Sequence, residues 1–494
     1  MTRATARRVR GLRIAAQIVF LALFAGLVVA AGHPLFPRGV ARSALFILDP
    51  LWPILYLAST RTVLWVSLIA LIPLAAAFAF GRFFCGWVCP MGSLHQFASW
   101  ALRKRAEPGP APDARWLRPK YLILVFIVVA AFFGPSIGGW LDPFSILIRS
   151  VGSAIAPAIS AVVPAAAGGL KASVQPVFIG GIFLVLLGLN AVRRRFFCNT
   201  LCPLGALHGL AARLGALRFE TGPDCHDCGV CSRGCSFGGD PAGRFMASEC
   251  TVCFNCAADC PRDAVAVRLA GRRPRPAAKL SIVDLDRRRV LGTAVFGAAA
   301  AALSLGSLAS RRSAKRTFLR PPGAVAEKTF LKRCLRCGTC VEACPTGFIQ
   351  PAALEAGIEG LWTPVGNARA GACEYDCIRC TRVCPSRAIE TMTPDEKKRF
   401  KIGTAVVDRS LCFTHAEGFD CTVCADHCPV PEKAIRFHDA EVWDFQGKRT
   451  MVRQTYVVPD LCIGCGICEN VCPRGGSPGI RVIPEDETRE SPGR

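Results

Sequence analysis

Residues 462–473 read Cys-Ile-Gly-Cys-Gly-Ile-Cys-Glu-Asn-Val-Cys-Pro. The cysteines fall at C-x2-C-x2-C-x3-C spacing, the run whose thiolates hold [4Fe–4S] clusters. The same spacing recurs at Cys225/Cys228/Cys231/Cys235, Cys250/Cys253/Cys256/Cys260 and Cys334/Cys337/Cys340/Cys344. Two further sets stretch the first gap: Cys373/Cys377/Cys380/Cys384 and Cys412/Cys421/Cys424/Cys428. Five of the six sets end in Cys-Pro, and Ser236 follows Cys235 in the sixth. The other four of the 28 cysteines, Cys85, Cys89, Cys198 and Cys202, form two C-x3-C-P pairs, so none is left over. Zinc sites use separated pairs rather than packed runs of three plus one. Disulfide frameworks belong to short secreted domains. The chain has no C-x-x-C-H for covalent haem. What remains is one-electron chemistry on iron–sulfur clusters.

In two-cluster proteins of this spacing the fourth cysteine of one run ligates the cluster of the other. Applied to this chain, the rule predicts six sets: Cys225, Cys228, Cys231 with Cys260; Cys250, Cys253, Cys256 with Cys235; Cys334, Cys337, Cys340 with Cys384. The remaining sets are Cys373, Cys377, Cys380 with Cys344; Cys462, Cys465, Cys468 with Cys428; and Cys412, Cys421, Cys424 with Cys472. The expectation is therefore six [4Fe–4S] clusters in three small α+β modules. Each module has too few apolar residues for a large core, so its clusters act as structural staples.

Composition adds a second theme. The 494 residues are 51% hydrophobic, with a net charge of +24. Apolar runs of spanning length lie near 12–32, 62–80, 121–141 and 174–192, with a fifth near 290–309. Basic residues crowd one side: Arg3, Arg7, Arg8, Arg10 and Arg13, then Arg82, Arg103, Lys104, Arg105, Arg115, Arg118 and Lys120, then Arg193–Arg195. The opposite loops carry Arg38, Arg42 and Arg61, and Arg149 and Lys171. This asymmetry puts the N-terminus and both C-x3-C-P pairs on the cytoplasmic side of a membrane. No basic stripe with interleaved aromatics points to nucleic acid.

The four-span region is duplicated. Arg82-Phe83-Phe84-Cys85 and Arg195-Phe196-Phe197-Cys198 open matching stretches that run on through Cys-Pro, Gly92 or Gly205, and His95 or His208. A second match pairs Leu48-Asp49-Pro50 with Leu141-Asp142-Pro143. Duplication marks a site built at a repeat interface. Cys85, Cys89, Cys198 and Cys202 have three readings: a further metal centre, redox-active dithiols, or packing. The spacing leaves these open. His95 and His208 read as supporting groups rather than haem ligands. Asp49 and Asp142 read as turn formers before proline, and as candidates for accepting protons from a quinol.

Between the first module and the fifth apolar run lies Arg287-Arg288-Arg289-Val290-Leu291-Gly292. Twin arginines before a moderately apolar, Ala/Gly-rich stretch resemble a Tat export signal, with Ser307-Leu308-Ala309 as a small-x-small cleavage site. The bland reading is a fifth span with a basic flank. Arg311, Arg312, Lys315 and Arg316 then fall on the outer side, against positive-inside counting.

With these motifs, residues 1 to about 270 resemble NapH/MauN-type membrane ferredoxins. Residues from about 285 onward resemble NapG/MauM-type periplasmic ferredoxins, through Arg287-Arg288-Arg289 and the run Phe318-Leu319-Arg320-Pro321-Pro322-Gly323-Ala324 before Cys334. The chain thus resembles a fusion of two subunits that are normally separate. The resemblance implies an inner-membrane quinol dehydrogenase feeding a periplasmic reductase, such as nitrate reductase, from the quinone pool. Cytoplasmic ferredoxin is an alternative donor, and an assembly factor for a periplasmic metalloenzyme is an alternative function. A NosR-type regulator is disfavoured because it expects a flavin-binding domain before the first span. No dinucleotide fingerprint argues for NAD(P)H. The predicted layout is 1–215, a four-span helical membrane domain; 216–275, a cytoplasmic two-cluster module; 276–325, a linker with the twin-arginine segment. Two periplasmic two-cluster modules follow at 326–400 and 401–494.

Overall fold

The computed structural model describes residues 2–32, 46, 48–102, 114–134, 136–151, 174–238, 241, 245–269, 286–311, 318–443 and 449–490. Arg38, Arg42, Arg103, Lys104, Arg105, Lys171, Arg312, Lys315 and Arg316 lie outside the described residues. The chain divides into two compact units, one built from 1–36, 41–150 and 179–303, the other chiefly from 304–494.

The first unit begins with helix α1 (Arg3–Gly32) and continues through α2 (Leu51–Thr60), α3 (Leu71–Phe80), α4 (Phe83–Trp87) and α5 (Pro90–Leu102). Then come α6 (Ala114–Phe133), α7 (Pro143–Ser150), α8 (Val174–Gly188), α9 (Phe196–Thr200) and α10 (Pro203–Ala212). Two of the expected spans form helices long and apolar enough to cross a membrane, within α1 and α6. The run expected at 62–80 is broken. A 3₁₀ stretch, Trp65–Ala70, leads into the ten-residue α3, and Arg61 in a left-handed conformation closes α2 before it. The run at 174–192 likewise yields only the fifteen-residue α8 before a 3₁₀ turn. Large apolar side chains stand exposed along these helices, among them Leu12, Ile18 and Val19 on α1, Phe78 and Phe80 on α3, and Leu184 and Val185 on α8. Helix α13 (Arg287–Arg311) belongs to this unit as far as residue 303; it runs through the whole fifth apolar segment and across Ser307-Leu308-Ala309.

A small α+β module completes the first unit. Strand β1 (Leu217–Thr221) pairs antiparallel with β2 (Val265–Leu269), Phe219 opposite Val267. The short helices α11 (Val230–Gly234) and α12 (Asn255–Ala258) lie between them in sequence. Phe219, Phe245, Val252, Ala257 and Ala258 form its small core. The N-terminus of α1 is fastened to this module: Arg3 Nε donates to the Ala258 carbonyl at 3.2 Å, and Arg10 pairs with Asp259 at 3.0 Å.

The second unit starts earlier than the sequence suggests. Residues 318–325, expected in the linker, are folded into it: Leu319 bridges Gly366, Ala324 bridges Ile389, and Arg320 is buried. Gly323 sits there at φ +79°, where a Cβ would lie 2.7 Å from the Glu390 carbonyl oxygen. Helices α14 (Glu327–Arg333) and α15 (Thr339–Ala343), the pair β3 (Ile349–Pro351)/β4 (Pro364–Gly366), α16 (Arg379–Arg382) and α17 (Pro394–Arg399) follow. Then β5 (Thr404–Val407) pairs antiparallel with β8 (Ile480–Ile483). That pair encloses α18 (Phe413–Ala416), α19 (Val423–Asp426), the long hairpin β6 (Ile435–Trp443)/β7 (Arg449–Val457) and α20 (Ile467–Val471). Cysteines are part of both cores, beside Phe330, Phe348 and Ile389 in one and Ala405, Ile435 and Ile480 in the other.

Candidate functional site: cysteine cages and a duplicated cysteine face

The cages are built by the backbone of the runs themselves. In the four regular runs the residue before the second cysteine is left-handed: Asp227, Val252, Arg336 and Gly464, with φ between 50° and 71°. So is the residue after it: Gly229, Phe254, Gly338 and Gly466, with φ between 60° and 79°. Two left-handed residues flanking one cysteine fold the chain tightly round a centre, a conformation glycine takes at no steric cost. For Val252 and Phe254 it costs roughly 1–2 kcal/mol each. The stretched runs lack the second turn: Ile378 and Thr422 have φ of −120° and −114°.

Four cavities result, each bounded by four cysteines. Cys225, Cys228, Cys231 and Cys260 line one of about 350 Å³. Cys235, Cys250, Cys253 and Cys256 line a second of about 390 Å³. Cys334, Cys337, Cys340 and Cys384 line a third of about 350 Å³, and Cys412, Cys421, Cys424 and Cys472 a fourth of about 390 Å³. Each set takes three cysteines from one run and one from the other. The remaining two sets are gathered as well. Cys380 lies within electrostatic reach of Cys373, Cys344 and Cys377, and Cys465 within that of Cys462 and Cys428.

Four thiolates around an apolar pocket are the donor set of a four-iron cluster, and none of the four linings contains a carboxylate. Burial pushes the Cys337 and Cys373 thiols up to about 12, as it does Cys424. Such thiols become thiolates when a metal charge displaces the proton. Among the described residues no three His, Cys, Asp or Glu side chains converge to hold a single metal ion.

The duplicated stretches fold alike. In each copy a five-residue helix (α4, α9) carries the first cysteine, the chain breaks, and proline opens the next helix (α5, α10) just after the second cysteine. Gly92 and Gly205 let that helix approach: a Cβ at Gly92 would lie 2.6 Å from the Cys85 carbonyl oxygen, and one at Gly205 lies 3.3 Å from that of Cys198. Cys202 caps α10 by accepting the Gly205 N–H at 3.2 Å. The copies also exchange rings. His95 stacks on Phe197 at 5.5 Å, and His208 on Phe84 at 5.2 Å. His95 bonds Asn190 at 2.8 Å, whereas neither ring nitrogen of His208 has a partner among the described residues. Cys202 lies within electrostatic reach of Cys198, Cys85 and Cys89, so all four thiols share one region.

That region grips the adjoining α+β module. The Arg82 N–H donates to the Cys250 carbonyl at 3.2 Å, and Trp87 Nε1 to that of Val252 at 3.0 Å. Asn199 Nδ2 donates to Ser236 at 2.8 Å. Arg82 and Arg195, the equivalent arginines of the two copies, both face the Phe237 ring, at 5.6 and 4.5 Å. The sequence shows these cations only as flanks of membrane spans, but Arg82, Lys120 and Arg195 are buried. The residue missed is Glu249. Its carboxylate accepts from Arg82 at 2.8 Å, from Tyr121 at 2.7 Å and from Lys120, all fully or almost fully buried. The available signal was no more than an acidic residue directly before Cys250.

Asp49 and Asp142 are both buried. Asp49 accepts the Leu51 N–H at 2.9 Å and Asp142 the Ser145 N–H at 2.7 Å, so each holds its turn. The two carboxyls lie within electrostatic reach of each other, and the second oxygen of each has no hydrogen-bond partner among the described residues.

The fold and cages define an iron–sulfur protein of the polyferredoxin class, and comparison with known proteins agrees. A 4Fe-4S binding domain family matches residues 62–108 and again 175–221, one match for each C-x3-C-P copy. A 4Fe-4S dicluster domain matches 419–475, and another 4Fe-4S binding domain 330–350. The methylamine utilization ferredoxin-type protein MauM of Methylobacillus flagellatus is 35% identical over 214 residues, 43% of this chain and 86% of its own length. The ferredoxin-type protein NapG of Escherichia coli is 38% identical over 205 residues, 40% of this chain and 85% of its own. Protein NirI of Paracoccus denitrificans is 31% identical over 184 residues, 35% of this chain and 24% of its own. No solved structure matches. The chain belongs to the MauM/NapG family of ferredoxin-type proteins.

Proposed function

We propose that the protein oxidises quinol at the inner membrane and passes the electrons singly through six [4Fe–4S] clusters to a periplasmic reductase. The observation that carries this reading is the meeting of the duplicated cysteine face with Cys250 and Ser236, at the rim of a four-cysteine cage. Oxidation of a quinol yields a quinone, two protons and two electrons. Asp49 and Asp142 are the proposed proton acceptors. A bound four-iron cluster takes or gives one electron at a time. The ligand sets are the six crossed ones, and the four cage linings support four of them directly. Cys85, Cys89, Cys198 and Cys202 are proposed to hold a further centre between quinol and wire, in keeping with the 4Fe-4S family match over both copies.

In this reading the chain joins a NapH/MauN-type half to its NapG/MauM-type half. The N-terminus and the first module are cytoplasmic, and the modules from Cys334 to Cys472 are periplasmic. The exposed apolar residues of α1, α3 and α8 support a lipid-facing surface. The names of NapG and MauM support a partner in nitrate or methylamine metabolism. The test is to purify the intact protein in detergent, add a menaquinol analogue and follow cluster reduction by EPR. Reduction within the mixing time is expected. No reduction by quinol with rapid reduction by a cytoplasmic ferredoxin overturns the proposal and reverses the point of entry.

A further inference from the structure

Helix α17 presents two adjacent lysines in opposite settings. Lys398 is half-buried and pairs with Asp376 at 3.1 Å. Lys397 is fully buried, and its Nζ has no hydrogen-bond partner among the described residues. A capping box holds the helix that carries it: Thr393 Oγ1 accepts the Glu396 N–H at 3.3 Å, and Glu396 accepts the Thr393 N–H at 2.7 Å. Proline at the first helical position adds to this. The helix therefore aims Lys397 inward by construction.

An unpaired buried ammonium costs several kcal/mol, so Lys397 keeps its charge only beside an anion. Its electrostatic neighbours are Cys373, Cys380 and Cys465. The first two belong to the proposed set with Cys377 and Cys344, the third to the set with Cys462, Cys468 and Cys428. These two sets meet where the C-terminal modules join: the Cys373 N–H donates to the Cys465 carbonyl at 2.8 Å, and the Ile402 N–H to Ile463 at 2.9 Å.

We infer that Lys397 is the shared counter-charge of these two clusters and raises the reduction potential of both at the module junction. Each added electron makes a cluster one charge more negative, so a fixed cation beside it stabilises the reduced form more than the oxidised one. Because one ammonium serves both, it keeps the two potentials moving together, which favours a hop between them in either direction. The inference rests on the ligand sets proposed above. Iron and sulfide analysis of the unaltered protein tests those sets separately, with about 24 iron atoms per chain expected for six clusters.

The experiment is an EPR-monitored redox titration of the full chain in detergent, comparing the unaltered protein with Lys397→Met, Lys397→Arg and Lys398→Met. In Lys397→Met two midpoints are expected to fall by about 59 mV or more, a tenfold change in a one-electron equilibrium. The other midpoints, and all those of Lys398→Met, stay in place. Lys397→Arg keeps the charge and keeps both midpoints. Unchanged midpoints in Lys397→Met with a full iron complement overturn the inference. Should Lys397→Met lose iron, Lys397→Arg decides: retained iron at unaltered potentials supports the counter-charge, and lost iron or shifted potentials overturn it.

Discussion

Single residues set both the strain and the charge of this chain. Glu327 is the clearest charged case, gripped by Arg320 at 2.6 Å and Arg489 at 2.7 Å in a buried cluster. Burial alone raises a carboxyl's pKa, but the two guanidiniums outweigh it and hold Glu327 at about 2 rather than 4.5. A depressed folded value means that its stabilisation is present above the unfolded value and lost as pH falls toward 2. About 2.5 units amount to roughly 3 kcal/mol. Denaturant unfolding of the second unit should therefore weaken between about pH 4.5 and 2, and Glu327→Gln should remove that slope while lowering stability at pH 7. An equal slope in the variant counts against the assignment. Arg320 was legible as part of the Phe318–Ala324 run, yet its partner Arg489 lies 162 residues from Glu327 and carries no local signal. Gly466 is the strain case. At φ +79°, with Ala368 Cβ 2.7 Å from where its own Cβ would stand, Gly466→Ala should cost about 2–4 kcal/mol by left-handed strain and overpacking. Gly475→Ala, with open space around it, should stay within about 0.5 kcal/mol. Paired denaturation curves check both.

At the scale of elements, the decisive feature is that four cages each take their closing cysteine from a neighbouring run. Cys260 ends the run that starts at Cys250, yet it lines the cavity of Cys225, Cys228 and Cys231. Cys260→Ser should therefore disturb the cluster of the other run. Its EPR signal and iron should fall, while the set of Cys250, Cys253, Cys256 and Cys235 keeps its own; loss of the Cys250 cluster instead would break the crossed assignment. The spacing points to the same arrangement, because a rigid local ligand pattern leaves little to tertiary packing. Gly229, Gly338 and Gly466 mark the left-handed turn after the second cysteine in plain view, whereas Phe254 adopts the same turn with no sign in its side chain. Helix lengths were less legible. Hydropathy saw continuous runs at 62–80 and 174–192 but not the 3₁₀ breaks that shorten α3 and α8. Charge misled in one respect. Arg82 and Lys120 look like membrane flanks when counted along the chain, and only the fold brings Glu249 between them, 167 and 129 residues away.

On the scale of the whole molecule, the proposed topology requires the second unit to reach the periplasm. Positive-inside counting opposes an ordinary crossing, since Arg311, Arg312, Lys315 and Arg316 would have to be translocated. A route that carries folded cargo escapes that objection, and it suits modules whose cysteine cages are buried core. The two routes respond differently to a change that preserves charge. Replacing Arg287, Arg288 and Arg289 with lysine leaves the basic flank of α13 and its apolar length intact, so a stop-transfer helix should insert as before. A twin-arginine signal should fail, because its recognition depends on arginine itself. A reporter active only in the periplasm, fused after Cys472, should lose its signal in the lysine variant and in cells without a functional Tat pathway. Full activity in the lysine variant would make α13 a plain fifth crossing, and the basic cluster at 311–316 would then need neutralising partners on the outer face.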